Sequence, residues 1–363
     1  MKIGIYGRGL SGRGGVKQYI ESMCRSMIRA VSDTDELFIL HNLDAPFFHS
    51  KKSNVHEVIL RSKRNLIADF LLGPKEINSL SLDVVWFTKY VIPFGIRAKT
   101  VTTVHDMAYY MPELSAYPLG DTMYMRTLIR NSCRRANAVV AVSKNTKADI
   151  LRILGTEEDK VHVIHEAADE KYRVISNLDE VERFRRRLQL PKRYILFTGG
   201  ISPRKNLVRL FEAFTSISAK IDCKLVLTGA KGWRNKDVLS MLEGRNDIIR
   251  LGFVEDDDMP LLYNAAEIFV YPSLYEGFGL PVIEAAQCGT PVVCAKGSSL
   301  TEVGGDGVLF VDPRKTEDIA RGILQLLEHP KQRKTLIQKG LENAERFSWD
   351  RSAKALLDLM KGL

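Results

Sequence analysis

Short apolar runs alternate with amphipathic stretches along the whole chain, and the alternation restarts halfway. In the first half the runs are Ile3–Tyr6, Leu37–Leu40, Val55–Ile59, Val84–Phe87, Thr100–Val104, Ala138–Val142 and Val161–Ile164. Helical patterning fills the gaps near Val16–Val31, Asn65–Leu80 and Gly120–Ala136, and Ser143 is placed to cap a further helix reaching Leu154. In the second half the runs are Tyr194–Thr198, Lys224–Thr228, Ile248–Leu251, Ala266–Tyr271, Pro291–Ala295 and Val308–Val311. Helices are expected at Leu207–Ile217, Asp237–Glu243, Asp257–Ala265, Thr316–Glu328 and Lys331–Arg346, and a last one at Trp349–Leu363 after a break at Phe347-Ser-Trp349. Strands alternating with helices build parallel sheets covered on both faces. The expected fold is α/β: two doubly wound, Rossmann-like domains facing across a cleft. Residues 1–170, completed by the helix 349–363, form the first domain and 192–346 the second. The polar stretch 171–191, with one helical piece around Asp179–Leu188, reads as a linker.

The 363 residues exceed one ordinary core and suit two domains. Hydrophobic content of 45% and charged content of 27% fit a soluble globular protein. The chain opens directly into a strand and holds no long apolar run, so neither a secretory signal nor a membrane span is expected. Five scattered cysteines without a Cys-x-x-Cys pair fit a reduced, cytoplasmic protein without structural zinc. The net charge of +9 favours anionic partners. Arg126, Arg130 and Arg134 share one face of a helix, and Arg183, Arg185, Arg186 and Arg187 crowd another. These are either solvated faces with dispersed ion pairs or a docking surface for an anionic membrane or a lipid-diphosphate acceptor. No nucleic-acid-binding motif is present, so nucleic acid is not an expected partner.

Chemistry concentrates at strand ends. Glu276-Gly-Phe-Gly-Leu-Pro-Val-Ile-Glu284 follows one apolar run and precedes another, which places its loop at the carboxyl end of a strand, where open α/β sheets bind ligands. Gly277 and Gly279 permit close backbone approach, and Pro281 suits the start of a helix whose free N–H groups attract an anion. Glu276 in the loop and Glu284, expected in the first helical turn, can hold the two ends of a polar ligand with an anionic middle. A sugar–diphosphate–nucleoside has that shape.

Three further motifs stand at equivalent places. Gly199-Gly-Ile-Ser-Pro-Arg-Lys-Asn206 sets Arg204 and Lys205 just before a helix start, where cations help stability least, so a ligand role such as neutralising a diphosphate is expected. Gly12-Arg-Gly-Gly15 is either a phosphate loop or a plain turn. His105-Asp106 ends a strand. His105 is either a donor to a sugar hydroxyl or acceptor, or a structural histidine, and Asp106 either orients the imidazole or caps the next turn. Asp256-Asp-Asp258 invites a metal reading, but its position before Met259-Pro favours helix capping, with contact to a nucleobase as another alternative. No metal site is expected.

Together these residues resemble the retaining glycosyltransferases of family 4, which have the GT-B fold. The resemblance spans essentially the whole chain, and Pro203-Arg-Lys-Asn206 with His105-Asp106-Met107 narrows it towards mannosyltransferase-like enzymes of surface polysaccharide synthesis. It implies that Glu276 holds hydroxyls of the donor sugar beside Gly277, Phe278, Gly279 and Leu280, and that Glu284 holds the ribose. It further implies that Arg204 and Lys205 bind the diphosphate with Gly199 and Gly15 close to it, that His105 contacts sugar or acceptor, and that Val254 and Asp256 lie near the base. Many members carry arginine after the glycine that ends the second-half strand. Here Gly200 follows Gly199, which shifts the diphosphate duty onto Arg204 and Lys205. The expected activity is transfer of a hexose, mannose favoured, to a glycan or lipid-linked acceptor. The donor would be GDP-mannose or, second, a UDP-sugar, with no cofactor required and attachment to the inner membrane face carried by the arginine surfaces. The alternatives are a nucleotide-sugar epimerase on the same fold and a non-catalytic sugar-nucleotide-binding scaffold subunit.

Overall fold

The apolar runs pair into two all-parallel sheets in a computed structural model that describes residues 1–7, 9–12, 14–60, 72–230 and 236–363. The chain divides into two compact units. One comprises Met1–Tyr110, Leu119–Glu166 and Ser348–Leu363, the other Met111–Pro118 and Ala167–Phe347.

In the first unit β1 (Lys2–Tyr6), β2 (Glu36–His41), β3 (Val55–Ile59), β4 (Val84–Phe87), β5 (Lys99–Val104), β6 (Ala138–Ala141) and β7 (Val161–Val163) line up in the order β3-β2-β1-β4-β5-β6-β7. β4 and β6 are buried along their whole length, as parallel strands covered on both faces are. The order reverses between β1 and β4, and Thr88 after β4 is hydrogen-bonded through its hydroxyl to the Tyr6 carbonyl at 3.0 Å. The helices are α1 (Gly15–Ala30), α2 (Gly73–Ser79), α3 (Leu119–Arg135) and α4 (Lys144–Leu154). Ser143 caps α4 as expected, accepting from the Thr146 N–H. Residues 65–71 of the helix expected at Asn65–Leu80 lie outside the described residues.

The second unit has β8 (Tyr194–Thr198), β9 (Lys224–Thr228), β10 (Ile248–Gly252), β11 (Ile268–Tyr271), β12 (Val292–Ala295) and β13 (Val308–Val311) in the order β10-β9-β8-β11-β12-β13. Its helices are α5 (Leu178–Arg187), α6 (Leu207–Ile217), α7 (Lys236–Ser240), α8 (Met259–Asn264), α9 (Leu280–Gln287), α10 (Ser298–Gly304), α11 (Thr316–Glu328) and α12 (Pro330–Ala344). The switch point lies between β8 and β11, the strands that lead into the Arg204–Lys205 and Glu276 loops. The stretch expected as a linker folds onto this unit. Asn264 of α8 accepts from the Ile175 N–H at 2.8 Å and donates to the Arg173 carbonyl at 2.9 Å, and Arg187 pairs with Asp258 at 2.6 Å.

After Phe347 the chain returns to the first unit as α13 (Trp349–Lys361). Ser348 caps it, and Trp349, Ala353, Leu356, Leu357 and Met360 make its buried apolar face. That face packs on α1, where Trp349 lies edge-on to Tyr19 with ring centroids 5.6 Å apart. Lys361 reaches Asp35, which also takes the N-terminal ammonium at 2.8 Å.

Candidate active site

The loops after β8 and β9 touch through backbone. Gly229 has φ 138°, and a Cβ there would stand 2.1 Å from the Gly199 carbonyl oxygen, so only glycine fits. Beyond Gly199 a single tight turn, Pro203–Lys205, ends at Asn206 in the left-handed region with φ 62°. The Asn206 side chain donates to the Pro272 carbonyl at 3.1 Å and the Pro313 carbonyl at 2.7 Å, while the Leu274 N–H donates to the Arg204 carbonyl at 2.8 Å. These bonds bind the turn to the loops that follow β11 and β13, and so carry two cations to Glu276.

Glu276 is buried with both oxygens engaged. Arg204 Nη1 donates to Oε2 at 2.7 Å and Lys205 Nζ to Oε1 at 2.6 Å. Burial alone would raise its pKa, but the Arg204 and Lys205 charges outweigh burial and hold it at about 2. Arg204 also meets the Tyr275 carbonyl at 3.2 Å, and Lys205 also reaches the Tyr271 hydroxyl. Burial, with the Glu276 charge close by, pushes the Tyr271 phenol well above its ordinary range. The helix-start cations that look misplaced in sequence are therefore balanced by the glutamate.

The rest of the motif is fixed from α10. Ser299 Oγ is within hydrogen-bond reach of the Glu276 carbonyl at 2.9 Å and the Phe278 carbonyl at 2.6 Å, and the Glu276 N–H donates to Ser298 Oγ at 3.2 Å. Gly279, at φ 117°, precedes Leu280, the first residue of α9. Because α9 begins at Leu280, Glu284 is its fifth residue and lies just past the first turn where it was expected. Glu284 is buried and accepts from the Tyr263 hydroxyl at 2.9 Å, which in turn lies 3.1 Å from Thr198 Oγ1 at the end of β8. Gly277 lies in the same loop.

After β10, Val254 is buried and Asp256 exposed. Asp258 occupies the N-cap position of α8 but makes no capping bond, which corrects the expected capping chemistry: Arg187 draws its carboxylate away, as Lys171 draws Asp257 at 3.3 Å. Among the described residues no three His, Cys, Asp or Glu side chains gather to hold an ion.

Apart from the second arginine cluster on α5, the remaining expected residues belong to the first unit. Gly15 opens α1 behind Gly14 at φ 82°, and Arg13 of that motif lies outside the described residues. His105 follows β5 and is buried. Its Nε2 lies 2.9 Å from the Thr88 carbonyl and its Nδ1 3.3 Å from Glu166 Oε1, while Tyr19 and Tyr90 stand edge-on to the ring. Asp106 accepts from the Ala108 N–H at 3.0 Å, the turn-capping alternative. On α3, Arg126 is not a free surface cation. Its Nε donates to the Tyr109 carbonyl at 2.6 Å and its guanidinium lies 5.5 Å from the Tyr110 ring centroid. Arg130 and Arg134 are exposed. Of the second cluster, Arg185 and Arg186 pair with Glu182 at 2.6 and 3.2 Å.

Sequence reasoning missed Tyr271, Tyr263 and Glu166. The tyrosines stand in apolar stretches that read as core, and Glu166 follows the last strand of the first half with no motif around it.

Residues 13–172 match the family model described as Glycosyltransferase Family 4, and residues 179–343 the model described as Glycosyl transferases group 1. The O-antigen chain mannosyltransferase B of Escherichia coli is 34% identical over 270 residues, covering 72% of this chain and 70% of that protein. The serotype-specific mannosyltransferase WbdA of Escherichia coli is 29% identical over 273 residues, and this chain spans 33% of its length. Among solved structures, HepE of Anabaena in complex with UDP and glucose superposes with a TM-score of 0.77 over all of both chains at 19% identity, a likeness of fold. With both halves matched in order and the two sheets arranged as described, the chain belongs to the GT-B glycosyltransferases of family 4 and is a transferase of the mannosyltransferase-like group.

Proposed function

We propose that this enzyme moves mannose from GDP-mannose to a glycan or lipid-linked acceptor in surface polysaccharide synthesis, with retention at the anomeric carbon. The observation that carries this reading is the buried Arg204–Glu276–Lys205 cluster at the switch point of the second sheet. Arg204 and Lys205 take the diphosphate and stabilise the charge that develops on it as the sugar leaves. Glu276 takes donor hydroxyls and Glu284 the ribose. The similarity to mannosyltransferases supports mannose, and a UDP-sugar is the second choice of donor.

Both Glu276 oxygens are held by Arg204 and Lys205, and in this reading the acceptor hydroxyl attacks on the face that the diphosphate vacates. A diphosphate oxygen then receives the hydroxyl proton. The leaving group needs no metal ion where two side-chain cations neutralise it. We place its work on the cytoplasmic side, a reading that five buried free thiols support.

The test is a thermal-shift screen with GDP, UDP, ADP and their sugar conjugates, with and without EDTA. Ligands that bind only the folded state raise its midpoint by mass action. The expected result is a selective shift with GDP and GDP-mannose that survives EDTA. A shift with none of the nucleotides overturns the donor site, and a shift abolished by EDTA overturns metal-independent binding.

A further inference from the structure

The two glutamates of the Glu276–Glu284 motif are buried in different company. Glu276 is gripped by two cations. Glu284 instead accepts from a phenol, the Tyr263 hydroxyl, at 2.9 Å. Tyr263 is itself fully buried, and its hydroxyl lies 3.1 Å from Thr198 Oγ1. Three elements of the second unit thus meet in one chain of hydrogen bonds. Thr198 ends β8, Tyr263 stands near the end of α8, and Glu284 lies on α9.

The direction of that chain follows from its members. An ionised carboxylate can only accept, so the single phenol hydrogen goes to Glu284 and Thr198 donates to the phenol oxygen. Burial, with the Glu284 charge close by, pushes the Tyr263 phenol well above its ordinary range, which keeps the hydrogen in place. The ring is not free to swing. Phe269 and Tyr172 stand edge-on to it, with centroids 5.4 and 5.9 Å away, and the Tyr263 carbonyl accepts from Thr290 Oγ1 at 2.7 Å. Packing alone needs none of this. A phenylalanine and an apolar neighbour would fill the same space without the cost of burying a carboxylate. The chain also runs to the edge where the other expected ligand residues gather, since Thr198 directly precedes Gly199. A phenol fixed on Oε2 sets the plane of the carboxylate, and a carboxylate can bind two adjacent hydroxyls only in a set plane.

We propose that Tyr263, held by Thr198, is a positioning residue of the donor site: it orients the Glu284 carboxylate for the adjacent hydroxyls of the ribose, and so sets a preference for ribonucleotide over 2′-deoxyribonucleotide. The proposal rests on the reading of Glu284 as the ribose ligand. Isothermal titration of the full chain with GDP, UDP and their 2′-deoxy counterparts tests it. The wild type is expected to bind the preferred ribonucleotide about tenfold or more tightly than its 2′-deoxy form. In Tyr263→Phe, which keeps the ring, the ribonucleotide is expected to fall to within about twofold of the 2′-deoxy form. Thr198→Val, which keeps the tyrosine, is expected to narrow the gap in the same direction, and decides the matter if Tyr263→Phe does not fold. A merely structural tyrosine would lower the unfolding midpoint and leave the gap intact. That result, with the gap closed in Glu284→Gln, sinks the proposal alone. A wild type without the gap, or a gap that survives in Glu284→Gln, overturns the reading of Glu284, and the proposal with it.

Discussion

Glu276 accepts from Arg204 and Lys205 through separate oxygens, and its pKa of about 2 lies below the ordinary 4.5. A depressed carboxylate stabilises the fold fully above its unfolded value and loses that contribution as pH falls through the folded value. For Glu276 the window runs from about 4.5 down to about 2, and the contribution at neutral pH is on the order of 3 kcal/mol. Glu276→Gln removes the charge and leaves two cations facing each other. Urea unfolding should show the variant less stable at pH 7, with the gap to wild type narrowing as pH falls below about 4.5. Its turnover should drop by about a hundredfold or more, because the same carboxylate is read as a ligand of the donor. A constant stability gap down to the acid limit would contradict the pairing.

The elements themselves are largely legible in the sequence. Uninterrupted apolar runs marked the strands, and Ser143 marked the start of α4. What escaped depends on contacts between distant segments. Nothing local shows that Gly229 must admit the Gly199 carbonyl, or that a left-handed Asn206 ties three loops together. The Glu276–Glu284 spacing was visible, yet the second glutamate falls past the first turn because α9 starts one residue before its proline. Asp258 stands where a cap belongs but answers to Arg187, a partner 71 residues away. The regular arginine spacing on α3 was also visible, whereas Arg126's capture by Tyr109 was not. The outer face of that helix adds Leu119, Met123 and Tyr124, which are 76, 64 and 47% exposed, to Arg130 and Arg134. Apolar side chains in company with cations suit an anionic membrane surface. Replacing Leu119, Met123, Arg130 and Arg134 by alanine is therefore expected to abolish sedimentation with phosphatidylglycerol vesicles while leaving nucleotide binding unchanged. Equal sedimentation of the variant and the wild type would remove α3 from that role.

For the molecule as a whole, the decisive feature is that the first unit is assembled from separated stretches of chain. α13 buries Trp349, Leu356, Leu357 and Met360, side chains worth about 1.5–3 kcal/mol each as an upper estimate. Its surface ion pair Arg29–Asp350 adds little by comparison. Deleting residues 348–363 should therefore lower the unfolding temperature of the first unit well below that of the second, and calorimetry should resolve two transitions. A single transition at the wild-type midpoint would show that α13 is dispensable.

The same arrangement sets an order of events during synthesis. A ribosome releases the strands of the first unit early, but the helix that covers α1 emerges only after the whole of Ala167–Phe347 has been made. At elongation rates of about 5–20 residues per second that interval is on the order of ten to forty seconds. For that time the α1 surface around Tyr19 lacks its final covering, and a nascent chain in this state is a natural client for chaperones that bind apolar helical surface.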